Sequence, residues 1–549
     1  MTTIAANAGR TSSPASETLA TVSSDEQTLR VPLNPYLSVR QALDATDLRV
    51  RAACGGLGTC GACLIQTVNG EFNPATLAER QKLLPEELAA GMRLACQLRA
   101  HSNCTLYLEH PAPHSAWKSL DTSQLYHARS NPTISEHIYG VAVDLGTTHI
   151  RLSVWNRQSG RRIGTRYSIN PQVAHGADIL TRLDAERLNS QDCRRIGRQA
   201  RDAIMDGIRD ILSRDMGEIT PVLSELGKVS IVGNTAMLTL LCGNSGDSLY
   251  QPENWQSPIA CRPADTNAWR RAWHTPHAEI DIAQPLAGFI GSDLLADLLA
   301  TGITEQSQPM LLADFGTNTE IAVWDGTNLW ASSVPGGPAF EGVGMRNGLT
   351  AEAGAICKVS INAGARRLHT IGDAPARGYC ASGFIDAIAL LLDAKQLKPS
   401  GRFAEPQTEH GMLLQACTPK SAIFASDIDI FQRAKASTAA AMAQLLALAS
   451  LTANDLDTLW ICGSFGQHLD LNSAFRVGLL PPVAAERVSL LANASLAGCE
   501  QLLLNPAAQS LLNAIVQRAR VINLGGVFEY ENRFIDNLRL QPMTTEECE

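Results

Sequence analysis

Hydrophobic positions along the chain change period several times. Thr28-Leu-Arg-Val-Pro reads as a strand, and Ser38-Val-Arg-Gln-Ala-Leu-Asp-Ala as a short amphipathic helix with a serine cap. Leu64-Ile-Gln-Thr-Val alternates as a strand should, the segment from Thr76 to Leu84 carries helix formers ahead of Pro85, and Cys104-Thr-Leu-Tyr-Leu-Glu109 alternates again. From His110 to Ile138 the pattern lapses into polar, irregular sequence with Pro111, Pro113 and Pro132, the signature of a linker. Apolar strands then resume at Tyr139–Asp144, Met310–Asp314 and Thr458–Cys462. The stretch from Asp427 to Ala453 has Ala, Leu and Met at helical spacing and predicts a core helix. Its most apolar part, Ala439 to Leu451 broken by Gln444 and Ser450, is shorter than the roughly 18 residues of a membrane span.

Two of these regions share one grammar. Tyr139-Gly-Val-Ala-Val-Asp144-Leu-Gly146-Thr147-Thr148 runs into an alternating strand ending at Trp155. About 170 residues later Met310-Leu-Leu-Ala-Asp314-Phe-Gly316-Thr317-Asn318 runs into another ending at Trp324. Such self-similarity predicts two related lobes facing each other. In each, glycine permits a tight hairpin whose amides and threonine hydroxyls can approach phosphate oxygens. The aspartate at the strand end can hold a metal ion through water or orient a nucleophile. A single Asp-x-Gly-Thr is an ordinary turn signal; two at matched strand ends are a site.

The remaining chemistry is in cysteine. Of fourteen cysteines, Cys54, Cys60 and Cys63 lie in one glycine-rich loop, Cys54-Gly-Gly-Leu-Gly-Thr-Cys60-Gly-Ala-Cys63, and Cys96 follows in Arg93-Leu-Ala-Cys-Gln97. This is one residue from the plant-type [2Fe–2S] spacing and shares the longer first gap of adrenodoxin-like ferredoxins. Zinc, the main rival, normally takes cysteines as two short knuckles. The other cysteines are scattered singly, as expected of reduced thiols in the cytoplasm; Cys380, beside Gly378 and Gly383, is the one with a possible role. His149 is read as a solvent-facing strand residue, and Glu341, flanked by Gly342 in a cleft loop, as a metal or substrate contact or a turn acceptor.

At 549 residues and 45% hydrophobic the chain can bury several cores. A net charge of −9 with no basic tract argues against nucleic acid as the main partner, and the Ala/Ser/Thr-rich start has no apolar signal core. The expected organisation is a flexible tail over 1–23, a ferredoxin-like domain over 24–112, a linker over 113–137 that lets that domain swing, and a two-lobed domain over 138–549 divided near 308.

The paired loops resemble the ASKHA superfamily of acetate and sugar kinases, Hsp70 and actin. By that resemblance the chain is a multidomain α/β protein, a β-grasp ferredoxin followed by an ASKHA domain. Asp144, Gly146, Thr147 and Thr148 would form one phosphate loop of an ATP and Mg²⁺ site, and Asp314, Gly316, Thr317 and Asn318 the other. Which of Asp144 and Asp314 is base and which organises metal stays open. Gly463-Ser464-Phe-Gly466, after the strand ending at Cys462, looks like the superfamily's adenosine loop.

Joined to the cysteine pattern, the likeness narrows to the reductive activators of corrinoid-dependent enzymes. Val232-Gly-Asn-Thr-Ala-Met237, Pro335-Gly-Gly-Pro-Ala-Phe-Glu-Gly342, Ser382-Gly-Phe-Ile-Asp386 and Asn493-Ala-Ser-Leu-Ala-Gly498 fit that family. Tyr379-Cys-Ala-Ser-Gly383 departs from its usual Ile-Cys-Gly-Ser-Gly, removing a glycine expected beside the cleft. The resemblance implies ATP-dependent transfer of one electron to a Co(II) corrinoid protein of a methyltransferase system. It also implies a flavoprotein or ferredoxin as upstream donor, a homodimer, and a cytoplasmic location without membrane or nucleic-acid partners. Alternatives are an activator of another metalloenzyme or a redox-sensing ASKHA kinase.

Overall fold

The computed structural model describes residues 18–544 apart from 26, 34–36, 45, 47, 52–55, 57, 59–60, 113–114, 121–134, 177, 189, 213–218, 341–343, 363–364, 407–410 and 416–417. The N-terminal domain is one mixed sheet, with strand order Thr28–Leu33, Thr18–Ser23, Cys104–Tyr107, Leu64–Asn69, Met92–Leu94. Its second and third members run parallel. This is the β-grasp layout, with helix Val39–Asp44 burying Val39, Ala42 and Leu43. Residues 18–23 were expected within the flexible tail; they form an interior strand instead. Ala20 and Val22 point into the core, but small residues and threonines mask the alternation.

Helix Leu77–Lys82 opens with a capping box between Thr76 and Glu79. The same Glu79 carboxylate, fully buried, takes Arg93 at 2.8 Å and accepts from the Leu94 amide at 3.1 Å. One carboxylate thus fixes the strand that leads into Cys96.

The rest of the chain forms two lobes of one design. The first sheet runs in the order Glu279–Ile282, Leu226–Gly233, Tyr139–Leu145, His149–Asn156, Arg161–Ile169. The second runs Val488–Leu491, Thr458–Cys462, Met310–Phe315, Thr319–Trp324, Leu329–Val334, with Ala519–Val521 added at the edge. In each, a three-strand antiparallel meander is joined by parallel strands on the side of its first member. Helices Ser292–Thr301 and Ala494–Leu504 cross between the sheets and share a core of Ala296, Leu299, Leu496 and Cys499. A Cβ on Gly498 would lie 1.9 Å from the Ala296 carbonyl oxygen, so only glycine permits the crossing. The expected apolar core helix is Ala425–Leu448. Among the described residues no helix is long and apolar enough to cross a membrane.

The N-terminal domain does not hang free of the first lobe. Arg166, wholly buried, meets Asp210 and lies 3.7 Å from Asp44, Arg49 reaches Asp210 at 3.3 Å, and Arg40 donates to the Ile211 carbonyl at 2.6 Å. Part of the expected linker is also structural: Trp117 is buried in the first-lobe core, and Lys118 exchanges both backbone hydrogen bonds with Tyr167. The expectation of a swinging module gives way to a docked one, because ionic residues scattered in sequence become a buried network only after the domains meet.

Candidate functional site

Both Asp-x-Gly-Thr segments close as hairpins at strand ends. The Gly146 amide donates to the His149 carbonyl at 3.0 Å and the Gly316 amide to the Asn318 carbonyl at 3.0 Å. A Cβ on Gly146 would sit 2.8 Å from that carbonyl. The hairpins face each other across the lobes, with the Thr148 and Thr317 hydroxyls 3.2 Å apart. Asp144, Gly146, Thr147, Thr148, Asp314, Gly316, Thr317 and Asn318 all line one cavity of about 80 Å³, and Gly463 joins them. Gly463 takes φ +86°, and a Cβ there would lie 2.6 Å from an Asp314 carboxylate oxygen. Ser464 and Gly466 follow in the short turn Ser464–His468, where the Gly466 amide donates to the Gly463 carbonyl at 3.2 Å.

The cavity also gathers His149, Arg151, Asn234, Asp293, Glu320, Asn493 and Ser495, none of them assigned to the site from sequence. His149 is therefore not solvent-facing: burial, then Arg151 and Lys118, push its imidazole down to about 4, so it is neutral at pH 7. Asp293 opens helix Ser292–Thr301, and Ser495 has the matching place in Ala494–Leu504. The available signal was Gly291-Ser-Asp293 ahead of an apolar helix, the counterpart of Asn493-Ala-Ser495.

Charge in the cleft is lopsided. Arg151 pairs with Asp144 at 3.1 Å and is the only Arg or Lys among the described lining residues. Burial raises the Asp144 carboxyl against that pairing. Burial, then Asp144 and Asp314, pushes Asp293 up to about 7; burial and Asp144 push Asp314 up to about 6. Asp297 and Glu320, also buried, are raised by burial first and by these same neighbours. A buried anionic group without enough counter-charge calls for a cation. Among the described residues no three His, Cys, Asp or Glu converge closely enough to ligate a metal directly.

Of the four candidate cluster ligands, Cys63 and Cys96 are described and both are buried; Cys54 and Cys60 lie outside the described residues. The Cys63 thiol is pushed up first by its hydrogen bond with Cys96 and then by burial. Two thiols from separate segments thus meet. Gln97 donates to the Cys96 sulfur at 3.5 Å and to the Gly56 carbonyl at 3.1 Å, and Gly56, Gly58 and Gly61 all take positive φ. Thiols crowded together with amide donors aimed at sulfur fit a [2Fe–2S] cluster.

Cys380 is buried at the cap of helix Ala381–Asp393, and neither it nor Tyr379 lines the phosphate cavity. The glycine that packing demands here is Gly383, whose Cβ would meet the Ile356 carbonyl at 2.0 Å. Glu341 lies outside the described residues.

The fold and site define a two-domain class, a ferredoxin ahead of an ASKHA-type domain. Family models agree: residues 21–101 match the 2Fe-2S iron-sulfur cluster binding domain, 139–306 the RACo middle region, and 308–549 the C-terminal ASKHA domain of RACo. The chain belongs to the family of reductive activators of corrinoid-dependent enzymes. It is 27% identical to the corrinoid activation enzyme RamQ of Eubacterium limosum over 69% of this chain and 66% of that one, just under two thirds of its length. It is 26% identical to the [Co(II) methylated amine-specific corrinoid protein] reductase of Methanosarcina barkeri, over 70% and 73% of the two chains. The solved reductive activator for corrinoid,iron-sulfur protein shares the fold, with TM-score 0.64 and 22% identity over 96% of this chain and 99% of that one.

Proposed function

We propose that this chain is an ATP-dependent reductive activator that delivers one electron to a corrinoid protein oxidised to Co(II), restoring the Co(I) state of a methyltransferase system. The observation that carries the reading is a two-sided Asp-x-Gly-Thr cleft in the same chain as a thiol-rich ferredoxin loop. A [2Fe–2S] cluster on Cys54, Cys60, Cys63 and Cys96 supplies single electrons. Plant-type clusters lie near about −400 mV, so reaching a lower-potential cobalt requires a second source of free energy, here nucleotide binding and hydrolysis.

The hydroxyls of Thr147, Thr148 and Thr317, carried on hairpins that the Gly146 and Gly316 amides close, bind the phosphates. Gly463, Ser464 and Gly466 turn the backbone beside the adenosine. Mg²⁺ entering with the nucleotide neutralises phosphate charge. Asp314, with carboxylates for neighbours, organises the water shell of that ion, while Asp144 is held by Arg151. Asp293, whose carboxyl titrates near pH 7, is suited to orient and deprotonate the attacking water. A cavity of about 80 Å³ is far below the about 300 Å³ of the smaller ligand sites, so ATP enters only after the Thr148–Thr317 contact opens. That opening and closing couples nucleotide state to partner binding through differential affinity. A flavoprotein or ferredoxin reloads the electron, and the working unit is a cytoplasmic homodimer.

The test is anaerobic: reduced protein is mixed with the Co(II) corrinoid protein of the same organism, with and without MgATP, and Co(I) absorption is followed. The band should need ATP and vanish in Cys60→Ser. No band with an intact cluster and working ATPase would reassign the client to another metalloenzyme.

A further inference from the structure

A second cavity, about 70 Å³, lies where the ferredoxin domain meets the first lobe. Arg40, Gly56 and Cys96 wall it from one side and Asn156, Arg161 and Arg162 from the other. Arg162 does not stop at this cavity. Its guanidinium makes a two-pronged ion pair with Glu500, Nε to Oε1 at 2.9 Å and Nη2 to Oε2 at 2.7 Å, and lies 4.4 Å from the centre of the Trp155 ring. The Trp155 indole N–H donates to the same carboxylate at 3.1 Å. Glu500 is fully buried and Arg162 is 12% exposed.

Glu500 belongs to helix Ala494–Leu504, whose cap Asn493 and first-turn Ser495 line the phosphate cleft. Five residues separate Ser495 from Glu500, about 7.5 Å along a helix, with the Gly498 crossing over Ala296 between them. A helix this short moves as a rod. A fully buried carboxylate parted from its partner is left as an uncompensated buried charge, so Arg162 follows Glu500.

We infer that the Glu500–Arg162 pair is a positioning element that carries the nucleotide state of the cleft to the [2Fe–2S] loop, with Arg162 setting the electrostatics beside Cys96. This rests on the function proposed above. Glu500 neutralises the Arg162 charge overall, but the guanidinium end of the pair lines the cavity beside Cys96 and the carboxylate end does not, so the cluster faces the positive end of a dipole that favours its reduced, more negative form. Moving it along with the helix changes how readily the electron is held.

The experiment is a redox titration of the cluster in the full-length protein, followed by absorbance and EPR, without nucleotide and with a non-hydrolysable ATP analogue plus Mg²⁺. Nucleotide binding is measured independently on the same samples. In the unmodified protein the analogue should change the reduction equilibrium by about threefold or more. In Glu500→Gln that change disappears while the cluster spectrum and analogue binding persist. Arg162→Met, paired with Glu500→Gln so that no buried charge is stranded, should likewise abolish the analogue-dependent change while the cluster spectrum persists. The double variant also serves if Glu500→Gln alone does not fold. Analogue binding without any change in the equilibrium overturns the inference, as does a change retained in both variants. Failure of the analogue to bind at all overturns the functional reading and this inference with it.

Discussion

The two lobes carry the same hairpin on the same sheet, yet they treat their aspartates in opposite ways. In the first lobe the ladder places Arg151 opposite Asp144, and the two form an ion pair. In the second the same ladder position opposite Asp314 holds Glu320. Like charges facing each other across strands are destabilising. The helix starts differ in the opposite sense, Asp293 before the lobe division and Ser495 after it. At the hairpins, one aspartate is paired with a cation and the other is left facing a carboxylate. Stability alone disfavours a carboxylate opposite Asp314, and the function proposed above gives that position a use, beside the cation and phosphates of a bound nucleotide.

This contrast can be broken directly. Asp314→Ala should lower ATPase turnover by about 10²–10⁴-fold with cluster absorbance intact; parallel loss of both signals would indicate a folding defect. Asp144→Ala should cost a comparable factor and in addition leave Arg151 without its carboxylate. Asp293→Ser, which copies the second helix start onto the first, should lower turnover by about 10²-fold and remove the limb near pH 7 from the kcat/KM profile, which reports the nucleotide-free enzyme. An unchanged profile would take Asp293 out of the chemistry.

Two smaller effects sharpen the comparison. Asp293 and Asp314 titrate at about 7 and about 6 against an unfolded value of 3.8, so the folded protein keeps protons that the unfolded chain has released. Stability without nucleotide should therefore fall as pH rises from about 4 to about 7, and MgATP should cancel the fall. Thermal melts across that range, with and without MgATP, read it. Glu320→Gln, which removes one crowded carboxylate and keeps a partner for Ser333, should stabilise the nucleotide-free protein by about 1 kcal/mol and weaken Mg²⁺ binding. A lower melting temperature would mean that Glu320 is held by something other than repulsion.

What could be read in the chain follows a physical divide. Asp144, Gly146, Thr147 and Thr148, and their second-lobe counterparts, were legible because a hairpin is made by adjacent residues whose turn chemistry is local. Cys63 was legible because cluster spacing is a local constraint on one loop, and Cys96 only as the distant fourth cysteine that such a spacing requires. Gly463 was legible as the tight turn after an apolar strand. His149 was misjudged because strand alternation says which face a residue takes but not whether a second lobe covers that face. The strand Thr18–Ser23 was missed because an interior strand of small and threonine residues looks like a polar tail until its neighbours bury it.

The sequence by itself determined two duplicated Asp-x-Gly-Thr hairpins, a thiol loop and their order along the chain, all products of short-range backbone geometry. Only the tertiary structure decided that Thr148 touches Thr317 across 169 positions and that Glu500 holds Arg162 across 338. It alone decided that Asp293 and Glu320 join Asp144 and Asp314 at one cavity, where burial and their neighbours raise them. Those outcomes depend on desolvation and on charges summed over space, quantities that no local pattern of residues encodes.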